Sequence, residues 1–337
     1  MKKALSDSGK PLKDIHPLGE QLCGKLFEFT RKGKMLRGGL VSVGYEMYAD
    51  ECESVTVPLG AVQELFQSAL LIHDDIMDRD LSRRGAPSVL GQYVGFAAER
   101  SLKDSYHTGE SLSICAGDIA YFLAFEVFSG IPLEDSLKSR LLSLCARELT
   151  YVGVAQMVDV LWSADDDVVS VEEIINMYTY KTARYTYALP LMAGALAANA
   201  PDGEVLTLEL LGSQMGVLFQ IKDDELGLFG DREKLGKPVG SDIREGKKTL
   251  YHHFLMKDLD TKKRQRTVSI FGRDEPSEEE MTFIRNRVHE LEIRRKIDEI
   301  AAKITANVEE KINALDCNAR GREMLLQLLS YNSTREK

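Results

Sequence analysis

The sequence predicts an all-α protein. Apolar residues recur at helical spacing over most of the 337 residues, only 9 are proline, and strict alternation or a βαβ series is missing. A short amphipathic helix is expected over 20–29, and a second helix follows the basic run RKGKMLRGG that begins at Arg31. Residues 57–72, VPLGAVQELFQSALLI, read as a buried helix. Residues 91–109 are polar and poorly patterned, so no element is assigned there. A very apolar helix then covers 111–130 and carries Asp118, which requires a nearby base or a polar site. Another helix covers 147–163, with Gln156 and Asp159 on neighbouring turns.

Asp165, Asp166 and Asp167 are consecutive and cannot share a helical face, so they read as a solvated loop. Ser170 and Glu173 have capping-box spacing and open the next helix, 171–199. That helix is mostly apolar or aromatic, yet it holds Lys181 and Thr182 ahead of Pro190, which should bend it and free backbone carbonyls. Lys181 either snorkels or meets an anion. Pro276 and Ser277, followed by Glu278, Glu279 and Glu280, mark a later helix start.

Composition narrows the classes of function. Hydrophobic residues at 44% suffice for a core, and charged residues at 28% suit a water-facing surface. A net charge of −10 argues against a general nucleic-acid binder, and any anionic substrate must be drawn by local bases or metal. The KKRQR run at 262–266 lies among acids and reads as a solvated face. The five cysteines, Cys23, Cys52, Cys115, Cys145 and Cys317, contain no CxxC and suggest neither zinc nor disulfides. With no secretory leader and no apolar run of membrane-spanning length, a cytoplasmic protein is expected. His252 and His253 lack carboxylates at ligand spacing and read as structural.

The chemistry concentrates in residues 71–85, LIHDDIMDRDLSRRG, where an apolar helix runs into Asp74, Asp75 and Asp78 and then Arg83 and Arg84. If the helix continues, Asp74 and Asp78 share a face, while Asp75 sits about 100° round. Clustered like charges at an apolar helix end raise carboxyl pKa values unless cations lie among them. Magnesium suits such a site, because it takes one or two carboxylates with water and substrate phosphates. The arginines supply forked donors for phosphate oxygens. The alternative for a lone DDxxD is a solvated helix end.

The pattern then recurs. An apolar helix through Phe219 and Gln220 ends in Asp223 and Asp224, with Asp231 beyond, and a loop rich in Gly and Lys carries Lys237, Lys247 and Lys248. Without an extended repeat, the two acidic stretches read as two walls of one cavity. Lys34 and Arg37, three apart, either face one site or form a surface basic turn.

In order, DDIMD with RRG, KTA, FQIKDD and GKPVGSDIREGKKTL resemble the trans-isoprenyl diphosphate synthases, the family of farnesyl and geranylgeranyl diphosphate synthases, and the last string resembles its archaeal type. The resemblance implies a single polyprenyl synthetase-like domain over 1–337, with 1–19 as an N-terminal segment, folded as an isoprenoid synthase helical bundle around a deep central cavity. It implies a homodimeric transferase, a prenyltransferase of isoprenoid biosynthesis, that condenses an allylic diphosphate with isopentenyl diphosphate. Magnesium would be the cofactor, three ions when diphosphate is bound. Asp74, Asp75, Asp78, Asp223 and Asp224 would hold the metal, and Arg83, Lys181 and Lys237 would complete the grip on the allylic diphosphate. Lys34, Arg37, Gln67 and Arg84 match positions that bind isopentenyl diphosphate, and Lys247 joins the substrate-binding set. Thr182 and Gln220 would lie along the reacting carbons, with Asp159 supporting a neighbour.

Three positions depart from the family pattern. Gly227 stands where a third aspartate is common, Gln67 where many members have His, and Gly38 where proline is usual, which would loosen that turn. Product length is argued from the helix before Asp74. Ala69 is too small to stop a growing tail, with Leu70 beside it. Phe66, three residues and about 4.5 Å deeper, would form a floor one isoprene unit further on. A C20 product is expected, then C25, then C15. A terpene cyclase is disfavoured by the Lys34, Arg37 and Arg84 set, since a cyclase binds no second diphosphate. The retained aspartates count against a silent subunit of a heteromeric synthase. A di-iron bundle would need Glu-x-x-His pairs.

Overall fold

The computed structural model describes residues 2–50, 52–165, 167–230, 240–273 and 276–335. Among them the only strands form one hairpin, Ser82–Arg83 (β1) with Ala86–Pro87 (β2), so the all-α expectation holds. The expected single domain packs as two compact units, Met1–Leu141 with Ala193–Asn199, and Leu142–Met192 with Ala200–Lys337.

The first unit opens with α1 (Lys2–Ile15), in the stretch set aside as an N-terminal segment, and α2 (Pro17–Arg31). Pro17 suits the first helical position, where its missing N–H costs nothing, and the His16 ring caps the helix by accepting from Leu18 N. After α3 (Leu36–Glu46), the long α4 (Glu53–Met77) forms the centre of the unit. Leu59, Val62, Leu65, Phe66, Ala69 and Ile72 are almost fully buried, against α6 (Ser105–Ser129) and α3 above all. The unassigned stretch 91–109 contains α5 (Val89–Glu99), N-capped by Ser88 accepting from Gly91 N. Its buried Val89, Leu90, Tyr93 and Ala97 do follow helical spacing. Two glycines interrupt the pattern, and one of them, Gly91, is required by packing, since a Cβ there would stand 2.1 Å from Leu81 O.

By length and composition α4 and α6 could each cross a membrane, which the sequence reading had excluded. For α4 the apolar character serves the core, because 78% of its most apolar window is buried inside the protein; for α6 the share is 39%.

The second unit takes in most of α7 (Asp135–Ser163), then α8 (Val171–Tyr178), a π-helical stretch (Thr179–Ala188), the start of α9 (Leu189–Ala197) and α10 (Asp202–Phe229). The expected capping box is present, with Ser170 and Glu173 serving each other's backbone N–H. Pro190 does not simply bend this helix. The coil widens before it, and Leu189 N donates to Arg184 O five residues back. A π segment is a helix with its hydrogen bonds shifted, and it places Lys181 and Thr182 on the widened turns. Glycines on α10 admit this wider coil. A Cβ on Gly216 would lie 2.4 Å from Ala183 Cα, and one on Gly212 2.6 Å from Ala188 Cα.

The remaining helices are α11 (Ser241–Arg244), α12 (Leu250–Asp258), α13 (Thr261–Val268), α14 (Glu278–Glu290), α15 (Ile293–Ala314) and α16 (Ala319–Thr334). Of these, α12, α14 and α15 join Ile174, Tyr178 and Ile221 in one apolar core through Leu250, Leu255, Ile284 and Ile297. The Ser277 start of α14 is a second capping box. KKRQR lies on the exposed α13. Both histidines of α12 are structural. Burial pushes the pKa of His252 down to about 3, and the His253 Nδ1 meets Val169 O at 2.7 Å.

Candidate active site

The first acidic motif occupies the last turn of α4. Asp78 is its C-cap in right-handed conformation and donates its N–H to Asp74 O, so the helical register runs through all three carboxylates. Their environments differ. Asp75 is fully buried, while the Asp74 side chain is 22% exposed. The two-residue turn Arg84–Gly85 that follows has positive φ at both positions, 55° and 69°, the geometry that matches strand twist in a tight hairpin and favours glycine at its second residue.

That hairpin turns Arg83 inward. Its Nε donates to Asp75 Oδ1 at 2.5 Å and its Nη2 to Asp74 Oδ2 at 3.2 Å, with the side chain only 6% exposed. Arg83 was expected to offer its fork to a phosphate; in this structure it serves the aspartates themselves. The reason is the cost of a buried carboxylate without a counter-charge. Even so, the Asp75 carboxyl is pushed up to about 7, chiefly by burial, against the pull of Arg83 and with added repulsion from Asp74 and Asp80. Its Oδ2 has no hydrogen-bond partner. An orphaned buried oxygen in a cluster of acids fits a cation as the missing partner.

Around this turn lies a group of bases. Arg84 Nη1 meets Phe29 O at 3.4 Å, at the end of α2. Burial holds its guanidinium below the ordinary value, and the charges of Arg83 and Arg37 add to the effect while Glu64 opposes it. Gln67 is buried on α4 with its Oε1 unpartnered. Gly38 does not loosen its turn, contrary to expectation. The first turn of α3 has no side-chain cap of its own, and Gly38 N donates across to Glu64 Oε1 on α4 at 2.9 Å, a bond that proline could not make. Glu64 thereby ties the segment carrying Lys34 and Arg37 to the helix carrying Gln67.

The second acidic motif lies near the end of α10, and its two aspartates again differ. Asp223 is 57% exposed, and Arg335 Nη2 donates to it at 3.0 Å and to Phe219 O at 2.9 Å while stacking over the Phe219 ring. Asp224 is buried. Its carboxylate accepts from the Tyr178 hydroxyl and, at 2.7 Å, from Gln220 Nε2. Burial, with repulsion from Asp242, raises its pKa well above the carboxylate range. Gln220 was expected along the reacting carbons, but here it satisfies Asp224. Tyr178 also accepts from Leu250 N at 3.1 Å, linking the start of α12 to this carboxylate.

Sequence reading missed Tyr178, Arg335 and Asp242. Asp242, within the quoted GSDIREG string, lies beside the glycine that replaces a third aspartate. Its Oδ2 is 3.1 Å from where a Cβ on Gly227 would stand, and Gly240 N closes the loop onto Gly227 O at 3.0 Å. An aspartate at 227 would therefore meet a carboxylate already in place. The absent aspartate was itself the available signal.

On the π-helical stretch the Lys181 ammonium pairs with Asp159 of α7. Thr182 is half-buried. Lys247 pairs with Glu245 at 2.5 Å. Lys237 and Asp231 lie outside the described residues. Phe66 is packed between Tyr121 and Phe125 of α6, with ring centroids 6.1 and 5.5 Å away, over a buried Ala69 and a half-buried Leu70.

Among the described residues no three His, Cys, Asp or Glu side chains are already gathered as a finished metal cage. Magnesium binds through few carboxylates and completes its shell with water and phosphate oxygens. In the first unit Asp74 and Asp78 offer partly exposed carboxylates for it with Asp75 buried beside them, and in the second unit Asp223 does, with Asp224 buried beside it.

A sequence profile of the polyprenyl synthetase family matches residues 20–288. The short chain isoprenyl diphosphate synthase of Methanocaldococcus jannaschii is 37% identical over 74% of this chain and 70% of its own length. The geranylgeranyl diphosphate synthase of Methanosarcina mazei is 30% identical over 90% of this chain and 86% of its own. Among solved structures, geranylgeranyl pyrophosphate synthase from Corynebacterium glutamicum, complexed with isoprenyl diphosphate and magnesium, superposes with a TM-score of 0.91. It is 27% identical and covers 99% of this chain and 97% of that one. The chain thus has the all-α isoprenyl synthase fold, belongs to the polyprenyl synthetase family and is a prenyltransferase.

Proposed function

We propose that the chain is a short-chain trans-isoprenyl diphosphate synthase that joins isopentenyl diphosphate to an allylic diphosphate and releases a C20 product. The observation that carries this reading is the pair of helix ends at which a buried aspartate is held by an internal donor while its neighbour, itself paired with an arginine, keeps a partly exposed carboxylate. Asp75 and Asp74 form one pair, Asp224 and Asp223 the other.

Asp74, Asp75 and Asp78 at the first motif, and Asp223 and Asp224 at the second with Asp242 beside them, hold magnesium for the allylic diphosphate. Bound magnesium stabilises the charge that grows on the diphosphate as the allylic C–O bond breaks. Lys181, positioned by Asp159, adds a cation to the same group, and Lys237 is assigned there by family likeness. Lys34, Arg37, Gln67 and Arg84 bind isopentenyl diphosphate. The depressed pKa of Arg84 among neighbouring arginines supports this, since an anion relieves their repulsion. Thr182 lies along the reacting chain, and apolar walls keep water from the cation.

Five free thiols support a reducing, cytoplasmic setting. A homodimer is supported by exposed apolar side chains on α6 (Ile114, Phe122, Phe125) and on α7 (Val154, Met157, Leu161). Sedimentation at assay concentration is expected to give twice the chain mass, and a monomer would contradict this.

Purified protein given magnesium, isopentenyl diphosphate and a C5, C10 or C15 allylic diphosphate should elongate at least one primer to a C20 end product, and chelation should abolish turnover. No elongation of any primer would overturn the reading. Phe66 sets the floor, buried and packed against Tyr121 and Phe125. Phe66→Ala should shift the end product to C25 or longer. The cavity also costs about 3–5 kcal/mol of stability, so products are compared at a temperature where both proteins stay folded. An unchanged product distribution would remove Phe66 as the floor.

A further inference from the structure

His73 directly precedes Asp74, and nothing above gives it a role. Its ring sits in a slot made entirely by α6. Nε2 lies 3.3 Å from Asp118 Oδ1, and the ring stacks on Tyr121 with centroids 6.0 Å apart and planes 23° from parallel. Gly117 forms the third side, because a Cβ there would stand 2.6 Å from His73 Nε2 and 2.7 Å from Cε1. Glycine at 117 therefore makes room for this ring, and Asp118, the acid that the apolar helix had to satisfy, finds its partner in it. Tyr121 also packs on Phe66, two turns earlier on the same face of α4.

We propose that His73 and Asp118 are positioning residues that fix the rotation of the last turn of α4 and so the aim of Asp74 and Asp78 at magnesium. This rests on the proposed function. Side chains reach about 5–6 Å from a helix axis, so a roll of 10° moves a carboxylate by about 1 Å. Metal–ligand distances tolerate only about 0.2 Å, and magnesium demands near-ideal octahedral geometry. The last turn of a helix is where motion concentrates, and here its backbone is already tied by Asp78, Asp80 and Arg79 N–H to Asp74, Asp75 and Ile76 O. A ring wedged one residue before the first ligand is well placed to stop that motion. Arg83 holds Asp75 and Asp74 from the hairpin side; the His73 slot holds the turn from the α6 side.

The Asp118 side chain is 55% exposed, so substituting it leaves the core intact. Asn at 118 keeps an oxygen at the place of Oδ1, 3.3 Å from His73 Nε2, whereas Ala does not. The probe is magnesium with inorganic diphosphate, titrated by calorimetry, alongside steady-state kinetics. Asp118→Ala and His73→Ala should weaken binding of the probe about tenfold, as loss of an outer partner of a metal ligand does. They should raise the magnesium needed for half-maximal rate to match, with KM for isopentenyl diphosphate within twofold of the parent. Asp118→Asn should restore both readouts. Unchanged probe binding in Asp118→Ala, an equal shift in KM for isopentenyl diphosphate, or an Asn variant as weak as Ala would each overturn the proposal. Absence of probe binding in the unsubstituted protein would overturn the proposed function and this inference with it.

Discussion

A carboxylate taken out of water at the end of an apolar helix must be met by a proton, a base or a metal, and this constraint organises both acidic motifs. Asp75 is met by Arg83, Asp224 by Tyr178 and Gln220, and Asp159 by the Lys181 ammonium. None of these arrangements neutralises its cluster in full. Asp75 keeps an unpartnered oxygen and a raised pKa, and Asp224 is pushed up by burial and by Asp242. The residual negative charge suits a divalent cation, and a cation held there would in turn attract an anionic group that the net charge of −10 would otherwise repel.

Backbone geometry supplies the rest of the positioning. The positive φ of Arg84 and Gly85 folds the RRG stretch into a hairpin that sends one arginine to the aspartates and the other toward the end of α2. In the second unit the widened turns before Pro190 carry Lys181, and Gly212 and Gly216 let α10 approach them closely. The first turn of α3 is capped by a carboxylate from α4, which couples Lys34 and Arg37 to the helix bearing Gln67. In each case the functional side chain is placed by a neighbouring element and not by its own helix alone.

Much of this was legible in the residues. The apolar helix before Asp74 and the Ser170 and Ser277 helix starts follow from local pattern, and the anion that Lys181 meets follows from the cost of burying charge. Other features were not legible, for physical reasons. The π stretch depends on how α10 packs, and α5 was hidden because Gly91 and Gly95 break its apolar stripe. Tyr178, Arg335 and Asp242 reach the second motif from 46, 112 and 18 or 19 residues away along the chain, and such separations carry no periodic signal. Arg83 is a different case. Its residue type suggested a phosphate ligand, and the structure adds a pairing with the buried Asp75 that the sequence pattern does not show.

The most direct test of uncompensated acidic helix ends is the melting temperature of the protein with and without saturating magnesium and inorganic diphosphate. Ligands at about a hundred times Kd stabilise by about 2.7 kcal/mol. For a chain of this size that is a rise of roughly 4 °C. The account predicts such a rise for the unsubstituted protein and its loss when Asp74 and Asp223 are both changed to Asn. An unchanged melting temperature in the unsubstituted protein, or an equal rise in the double variant, would contradict it.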